Sequence, residues 1–241
     1  MLASALLGES PPRLEVRRLV RVAALFGINE NQARVALSRM AARGEVTADG
    51  PGTYVLAGRL AERAERLAVA RSGATSGFDG SWHAVVVTAT GDSAGVRHRR
   101  REALRAARLA ELRDAVWLRP ANLALELDGE LRHAVSTFLA EPEQDPVELA
   151  AGLFDLGGWA RRATSLLEEL DRTALDASGS LAEGFVRSAE VLRHLQRDPL
   201  LPEALLPSSW PGRDLRAAYD AFDSQFRTLL RGAHRDALAA R

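Results

Sequence analysis

The sequence predicts an α+β protein, mostly α, laid out in three successive parts, and three observations predict it. Apolar residues recur at helical spacing over much of the chain. A β-branched block, "SWHAVVVTAT", interrupts the helices near residue 85, and from Pro146 onward the pattern returns to helix. With 241 residues, 46% of them hydrophobic, the chain can bury a core in one large or two to three small domains.

Composition removes several chemistries. There is no cysteine, which excludes disulfides, Cys-ligated zinc, iron–sulfur centres and thiol catalysis, and fits a reducing compartment. "MLASALLG" is too short for a signal peptide and lacks its basic start, and no apolar run approaches about 20 residues. The expectation is a cytoplasmic protein without a membrane partner. Net charge is zero but segregated: residues 1–71 carry 11 Arg against 7 acids, residues 97–119 carry 8 against 3, and residues 120–241 carry 13 against 20. All 32 basic residues are Arg. Arg and Ala abundance reads first as coding bias, but a basic front and an acidic back suit a nucleic-acid binder with a separate non-binding part.

In the first part, "LEVRRLVRVAALFG" sets Val16, Leu19, Val20 and Ala23 on one helical stripe, with Gly27 as the stop. Asn29 then has the position of an N-cap with Gln32 three residues on, the capping-box spacing. Ala33, Ala36, Leu37 and Met40 make the inward stripe of a second helix. After Gly44, "EVTADGPGTYVLAG" alternates and turns at Asp49-Gly50, a hairpin signal. A short apolar "LASALLG" ahead of "ESPPR" supplies a further helix. Helix, tight turn, helix and hairpin together predict a winged helix-turn-helix over residues 1–58.

The outer face of the second helix carries Asn31, Val35, Ser38 and Ala42, edged by Arg34 and Arg39. Short polar side chains at the centre and cations at the rim suit entry into a major groove, with Arg meeting phosphate or guanine. A merely solvated helix more often carries Glu/Arg pairs there. Residues 59–79 read as a linker helix and loop.

Residues 80–142 read as β-α-β-β-α-β: a strand at "SWHAVVVTAT", a helix over "VRHRRREALRAARLAEL", strands at "DAVWLRP" and "ANLALEL", a short helix "DGELRH" and a strand "AVSTFLAEP". That order is the ferredoxin-like unit. The cluster "RHRRR" at 97–101 near a helix start suits phosphate, or else is a solvated basic turn. Residues 146–241 read as a helical C-terminal domain, broken at "DPLLPEALLPSSWPG", where prolines forbid continuous helix and Leu200, Leu201, Leu205, Leu206 and Trp210 suggest a packed brace.

The residues "ALFGINENQARVALSRMAARGEV", "GTYVL", "FDGSWHAVVV", "LRPANL" and above all "HLQRDPLLPEALLPSSWPG" resemble the PaaX-like transcriptional regulators, the family of the phenylacetic acid degradation repressor. The resemblance runs nearly end to end. It implies a dimeric winged-helix repressor with a central Cas2-like ferredoxin domain and a helical C-terminal domain, released from a double-stranded DNA operator by an acyl-CoA of the phenylacetyl-CoA kind. By position, the DNA-reading residues fall on Asn31, Gln32, Arg34, Val35, Ser38, Arg39 and Arg43, and the wing on 49–54. The wing "ADGPGTY" has no Arg or Lys, which leaves Thr53, Tyr54 and backbone N–H groups to meet phosphate. An effector thioester needs cations and an apolar slot, for which Arg97, Arg99, Arg100 and Trp210 are the candidates.

Alternatives stay open: an activator, a regulator with a different effector or none, or an adaptor acting through its acidic tail. Catalysis is the rival class. A Cas2-like nuclease would need an acid such as Asp92 beyond the first strand, but no second acid lies near it in sequence. His83, His98, His133, His194 and His234 lack metal-ligand spacing, and no G-x-S-x-G or phosphate-binding Gly loop is present. No catalytic residue, metal or bound cofactor is assigned. Homodimerisation follows from the resemblance and from the two-fold logic of operators.

Overall fold

The computed structural model describes residues 13–24, 26–172 and 181–239. The helix expected at "LASALLG" lies outside the described residues. In chain order the first elements are β1 (Arg13–Glu15), α1 (Val16–Ala24), α2 (Glu30–Ala42), β2 (Val46–Ala48), β3 (Thr53–Leu56) and α3 (Gly58–Ser72). There follow β4 (Trp82–Val87), α4 (Ala94–Ala106), β5 (Ala110–Arg113), β6 (Val116–Pro120), α5 (Gly129–His133) and β7 (Val135–Ala140). The last are α6 (Pro146–Leu153), α7 (Leu156–Arg172), α8 (Leu181–Leu195), a 3-10 turn at Glu203–Leu205, and α9 (Gly212–Ala239). The protein is thus mixed α+β, predominantly helical, with small antiparallel sheets.

Two compact units share these elements. The first gathers Met1–Gly73, Arg162–Arg197 and Pro211–Arg241; the second gathers Ala74–Arg161 and Asp198–Trp210. Residues 146–241, expected as one helical domain, are therefore divided. The reason is packing: Leu149, Ala150, Leu156, Leu201 and Leu205 share a buried cluster with Trp82 and Leu118 of the second unit. α8 and α9 belong instead with α3.

In the first unit β1, β3 and β2 form a sheet in that order, with Leu14 opposite Tyr54 and Thr47 opposite Val55. α1 buries Leu19, Val22 and Ala23, leaving Val16 and Val20 of the expected stripe half-buried. α9 presents a helical stripe of Leu215, Tyr219, Phe222 and Phe226, all buried. The Tyr219 hydroxyl shares a hydrogen bond with Ser188 of α8 at 3.1 Å, and burial pushes its pKa up to about 12. α3 is no free connector. Its Arg71 pairs with Asp220 at 3.0 Å and Asp223 at 3.3 Å and lies over the Tyr219 ring, while Arg216 Nε donates to the Ala70 carbonyl at 2.9 Å. α3 ends at Gly73 with φ +62°, and Arg216 lies 2.8 Å from where a Cβ would sit.

The second unit holds an antiparallel sheet of order β5-β6-β4-β7. Alternation along its strands makes two cores. Trp82 and Leu118 face the cluster just described, whereas Val85 and Trp117 face Leu104, Leu109, Leu127 and Leu131 on the α4 side. Two expected elements change here. The helix expected through residue 112 stops at Ala106, because Arg108 takes φ +60° while its guanidinium donates to the Asp198 carbonyl at 2.9 Å; residues 110–113 then form a strand. "ANLALEL", expected as a strand, pairs with no strand among the described residues. Its Leu123, Leu125 and Leu127 point inward by alternation, but Asn122 is already bound to Ser76 and Leu200.

Candidate nucleic-acid interface

The corner between α1 and α2 is built from backbone chemistry. Gly27 has φ +69°, and the N–H groups of Ile28 and Gly27 donate to the carbonyls of Ala23 and Ala24, a Schellman stop. α2 begins two residues later because Asn29 caps it. Its Oδ1 accepts from the Gln32 N–H at 2.9 Å, and the Gln32 Oε1 accepts from the Asn29 N–H at 3.0 Å. Gly44, φ +68°, ends the helix in the same way, with the Glu45 N–H on the Met40 carbonyl at 2.9 Å. Ala33, Leu37 and Met40 are buried beneath it. Leu37 and Met40 each contribute about 1.5–3 kcal/mol of burial, which holds one face down and turns the other out. Phe26, at the corner, meets Phe185 of α8 edge-on with ring centroids 5.1 Å apart.

The outward face carries Asn31, Arg34, Val35, Ser38 and Arg39, all exposed, so α2 brings together most of the residues the sequence singled out. Their charges are not equally available. Arg34 pairs with Glu30 at 2.7 Å, and Arg43, at the C-cap, grips Glu45 through Nε and Nη2 at 2.8 and 2.9 Å. The Arg43 hydrogen bond holds the Glu45 carboxyl below its ordinary range. Arg39 is exposed and enters none of the ion pairs of the described residues. Gln32 uses its carbonyl oxygen in the cap, which leaves its NH2 group outward.

The β2–β3 hairpin turns through Gly50 and Gly52, both at positive φ, and Asp49 N–H donates to the Thr53 carbonyl at 3.0 Å. Thr53 and Tyr54 are half-buried, Tyr54 lying between Ala48 and Leu14 in register. The hairpin lacks a cation of its own, but β1 places one beside it: Arg13 Nε lies 3.0 Å from the Asp49 carboxylate. Sequence reading missed Arg13, since nothing in "ESPPRLE" announces a strand of three residues.

In the second unit the proposed ligand residues are separated. Arg97, Arg99 and Arg100 lie on α4, whose Leu104 packs on the Val85 face of the sheet. Trp210 stacks on Trp159 at 4.4 Å and packs on the Trp82 face. The sheet stands between them, so they form no common pocket. Arg100 is buried and ion-paired with Asp92, and Arg97 donates to the Asp92 carbonyl. The acid that a nuclease reading would use is thus engaged by α4. Among the described residues no cluster of three His, Asp or Glu side chains has the arrangement of a metal site.

A different cleft, of about 450 Å³, lies on the Val85 face, lined by His83, Leu125, Leu127, Arg132 and residues 137–139. Leu125, Leu127, Phe138 and Leu139 share its walls with His83, Arg132 and Thr137, and its charged lining residue is a cation. Burial holds the His83 imidazole below its ordinary pKa, helped by Arg119 opposite it. Arg119 is itself buried, and among the described residues no carboxylate pairs with it. It donates to the Pro120 and Ala107 carbonyls at 3.1 Å, and burial pulls its pKa down to about 10.

The mostly helical α+β chain thus presents a capped, cation-edged helix and a glycine-turned hairpin in its first unit. A family model described as PaaX-like protein matches residues 2–64, and one described as PaaX-like protein C-terminal domain matches residues 157–237. Among solved structures, the uncharacterized protein Rv0674 from Mycobacterium tuberculosis is 36% identical over 96% of both chains, with a TM-score of 0.74. No curated protein matches the chain. The chain belongs to the PaaX-like family, a family of transcriptional regulators. Among the described residues no helix is long and apolar enough to cross a membrane.

Proposed function

We propose that this chain is a sequence-specific, dimeric DNA-binding repressor released by a small acyl-CoA. In this reading residues up to 58 are a winged helix-turn-helix, α2 is its recognition helix and the β2–β3 hairpin its wing. One observation carries it: α2 is anchored by a capping box and a buried Ala33/Leu37/Met40 stripe, so Asn31, Val35, Ser38 and Arg39 face outward on a rigid element. The sheet order β5-β6-β4-β7 and the element order β-α-β-β-α-β support a ferredoxin-like, Cas2-like second unit. The effector reading rests on the family and on the cleft beside His83 and Arg132, whose mixed polar and apolar walls and cation suit an anionic, partly apolar ligand.

The test is fluorescence anisotropy on the DNA upstream of the chain's own gene, at fixed salt, against a scrambled duplex, with and without a panel of acyl-CoAs that includes phenylacetyl-CoA. Specific binding lost on adding one thioester is the expected result. Specific binding unmoved by every thioester removes the effector and keeps the reading head. No preference over scrambled DNA removes the reading head itself.

A further inference from the structure

The cations around α2 and the hairpin share an arrangement that their places in the sequence do not announce. Arg34 sets Nε at 2.8 Å and Nη2 at 2.7 Å from Oε1 of Glu30. Arg43 sets the same two nitrogens on Oε1 and Oε2 of Glu45, at 2.8 and 2.9 Å. Arg13 sets Nε 3.0 Å from the Asp49 carboxylate, and its Nη2 donates to the Asp49 carbonyl at 3.3 Å. Each guanidinium thus spends its Nε/Nη2 fork on an acid of its own unit. Arg39, which lies between Arg34 and Arg43 in sequence, is exposed and enters none of the ion pairs of the described residues.

Stability does not account for these acids. Of the paired side chains only Glu45 is half-buried and the rest are exposed, and ion pairs so exposed add little to a fold. Their effect on binding is larger. In sequence-independent binding a cation contributes by neutralising a phosphate and releasing its counterion. A guanidinium already matched by a carboxylate has no net charge to offer, and must first exchange one partner for the other. The fork that grips a carboxylate is the fork that grips a phosphate, so each acid stands where a phosphate oxygen would. The hairpin shows this most plainly. Its turn, residues 49–52, carries an acid and no cation, and the cation that β1 brings beside it is held by that acid.

We propose that Glu30, Glu45 and Asp49 are internal phosphate surrogates: each holds one arginine of the DNA-facing surface and mutes its attraction to any duplex, leaving Arg39 to supply the sequence-independent attraction of α2. That assignment rests on the preceding reading of α2 and the hairpin as the DNA-facing surface. It goes beyond that reading in giving a role to the acids.

Salt-dependent anisotropy of the full chain on a scrambled duplex tests it, with the wild type measured also on the duplex upstream of its gene. Glu30→Gln, Glu45→Gln and Asp49→Asn are each expected to steepen the slope of log K against log salt by about 0.9, the increment of one added phosphate contact. Between 1 M and 0.1 M salt that increment amounts to about eightfold in affinity. Arg39→Gln should make the slope shallower by the same amount. Removing both members of a pair, as in Arg43→Gln/Glu45→Gln or Arg13→Gln/Asp49→Asn, should return the wild-type slope. Glu102→Gln is the control for net charge. It breaks an exposed pair with Arg105, 2.9 Å apart on α4 of the second unit, and should leave the slope unchanged.

Should Glu45→Gln lose the wild-type circular dichroism spectrum, Glu30→Gln and Asp49→Asn carry the test. Wild-type slopes in the folded single variants overturn the proposal, as does a steepening in Glu102→Gln equal to theirs. So does a steepening that persists once the paired arginine is removed as well. Variants that steepen as expected in a chain that does not prefer the upstream duplex strike the operator reading and leave the surrogates standing.

Discussion

Asn122 Nδ2 donates to the Leu200 carbonyl at 2.7 Å across 78 residues of sequence, and Asn122 is fully buried. The same asparagine's carbonyl accepts from the Ser76 N–H at 2.9 Å and hydroxyl at 2.8 Å, and its Oδ1 takes a longer contact from Arg119. Leu200 is held at φ +52°, and Asp198 caps it by accepting from its N–H at 2.8 Å. The two most distinctive stretches of the sequence, "LRPANL" and "DPLLPE", are thus two halves of one buried joint. Asn122→Ala strands the Leu200 carbonyl and should cost about 1–3 kcal/mol of stability, read by urea denaturation. Operator affinity of the folded fraction should not change.

Arg39→Ala should weaken operator binding more than Arg34→Ala or Arg43→Ala, because Glu30 and Glu45 already engage the latter two. A lost guanine contact costs about 1–3 kcal/mol and relaxes one base position, whereas a lost phosphate contact lowers the salt slope by about one. Salt-dependent anisotropy on single-base operator variants separates these. If all three variants bind like wild type, α2 is not the reading helix.

Asn29→Ala should cost about 1 kcal/mol, since the Gln32 N–H loses its Oδ1 acceptor while the residue 29 N–H keeps the Gln32 Oε1. Asn29→Asp should retain most of that stability, because a carboxylate caps equally and suits the helix N-terminus. Thermal melts of the two variants, compared at one salt concentration, check the ranking.

Tyr219 gives a pH signature. Its folded pKa of about 12 lies above the ordinary 10, so between those values the native state keeps a proton that the unfolded chain has lost. Its contribution is complete below pH 10 and fades as pH rises to 12, by at most about 2–3 kcal/mol. Arg119, with a folded pKa of about 10, works in the opposite sense over this range. The comparison that isolates Tyr219 is with Tyr219→Phe, whose stability should fall less steeply between pH 10 and 12. Equal slopes would show that the hydroxyl is not titrating from a buried site.

His83 sets the acid side. Burial depresses its folded pKa, so the unfolded chain takes up a proton first as pH falls through the ordinary histidine range, and stability declines with it. His83→Gln should flatten the dependence of melting temperature on pH between 7.5 and 5.5. An unchanged dependence would place the acid sensitivity elsewhere.

Much of α2 was legible because its determinants are local. Asn29 and Gln32 at capping-box spacing, glycines at 27 and 44, and a four-residue apolar stripe each act within a few positions of themselves. Where the determinants are distant, reading failed. "AELR" has the composition of a helix, and it becomes a strand because Arg108, bound to Asp198, breaks the helix ahead of it. "ANLALEL" alternates like a strand, yet its first residues are captured by Ser76 and Leu200. Arg13 reaches the hairpin only through a pairing of β1 with β3 that three residues of sequence cannot announce. Arg97 and Trp210 looked complementary in chemistry, and nothing linear reveals that a sheet stands between them.

The pairing of Arg71 with Asp223 spans 152 residues. During synthesis α3 therefore leaves the ribosome long before its carboxylate partner exists, and Ser188 and Tyr219 likewise come late. The first unit is closed by α9, so removing that helix takes away the carboxylates that hold Arg71 and the partner that holds Ser188. The N-terminal elements of the unit are in this way supported by residues that follow them by 149 and 152 positions.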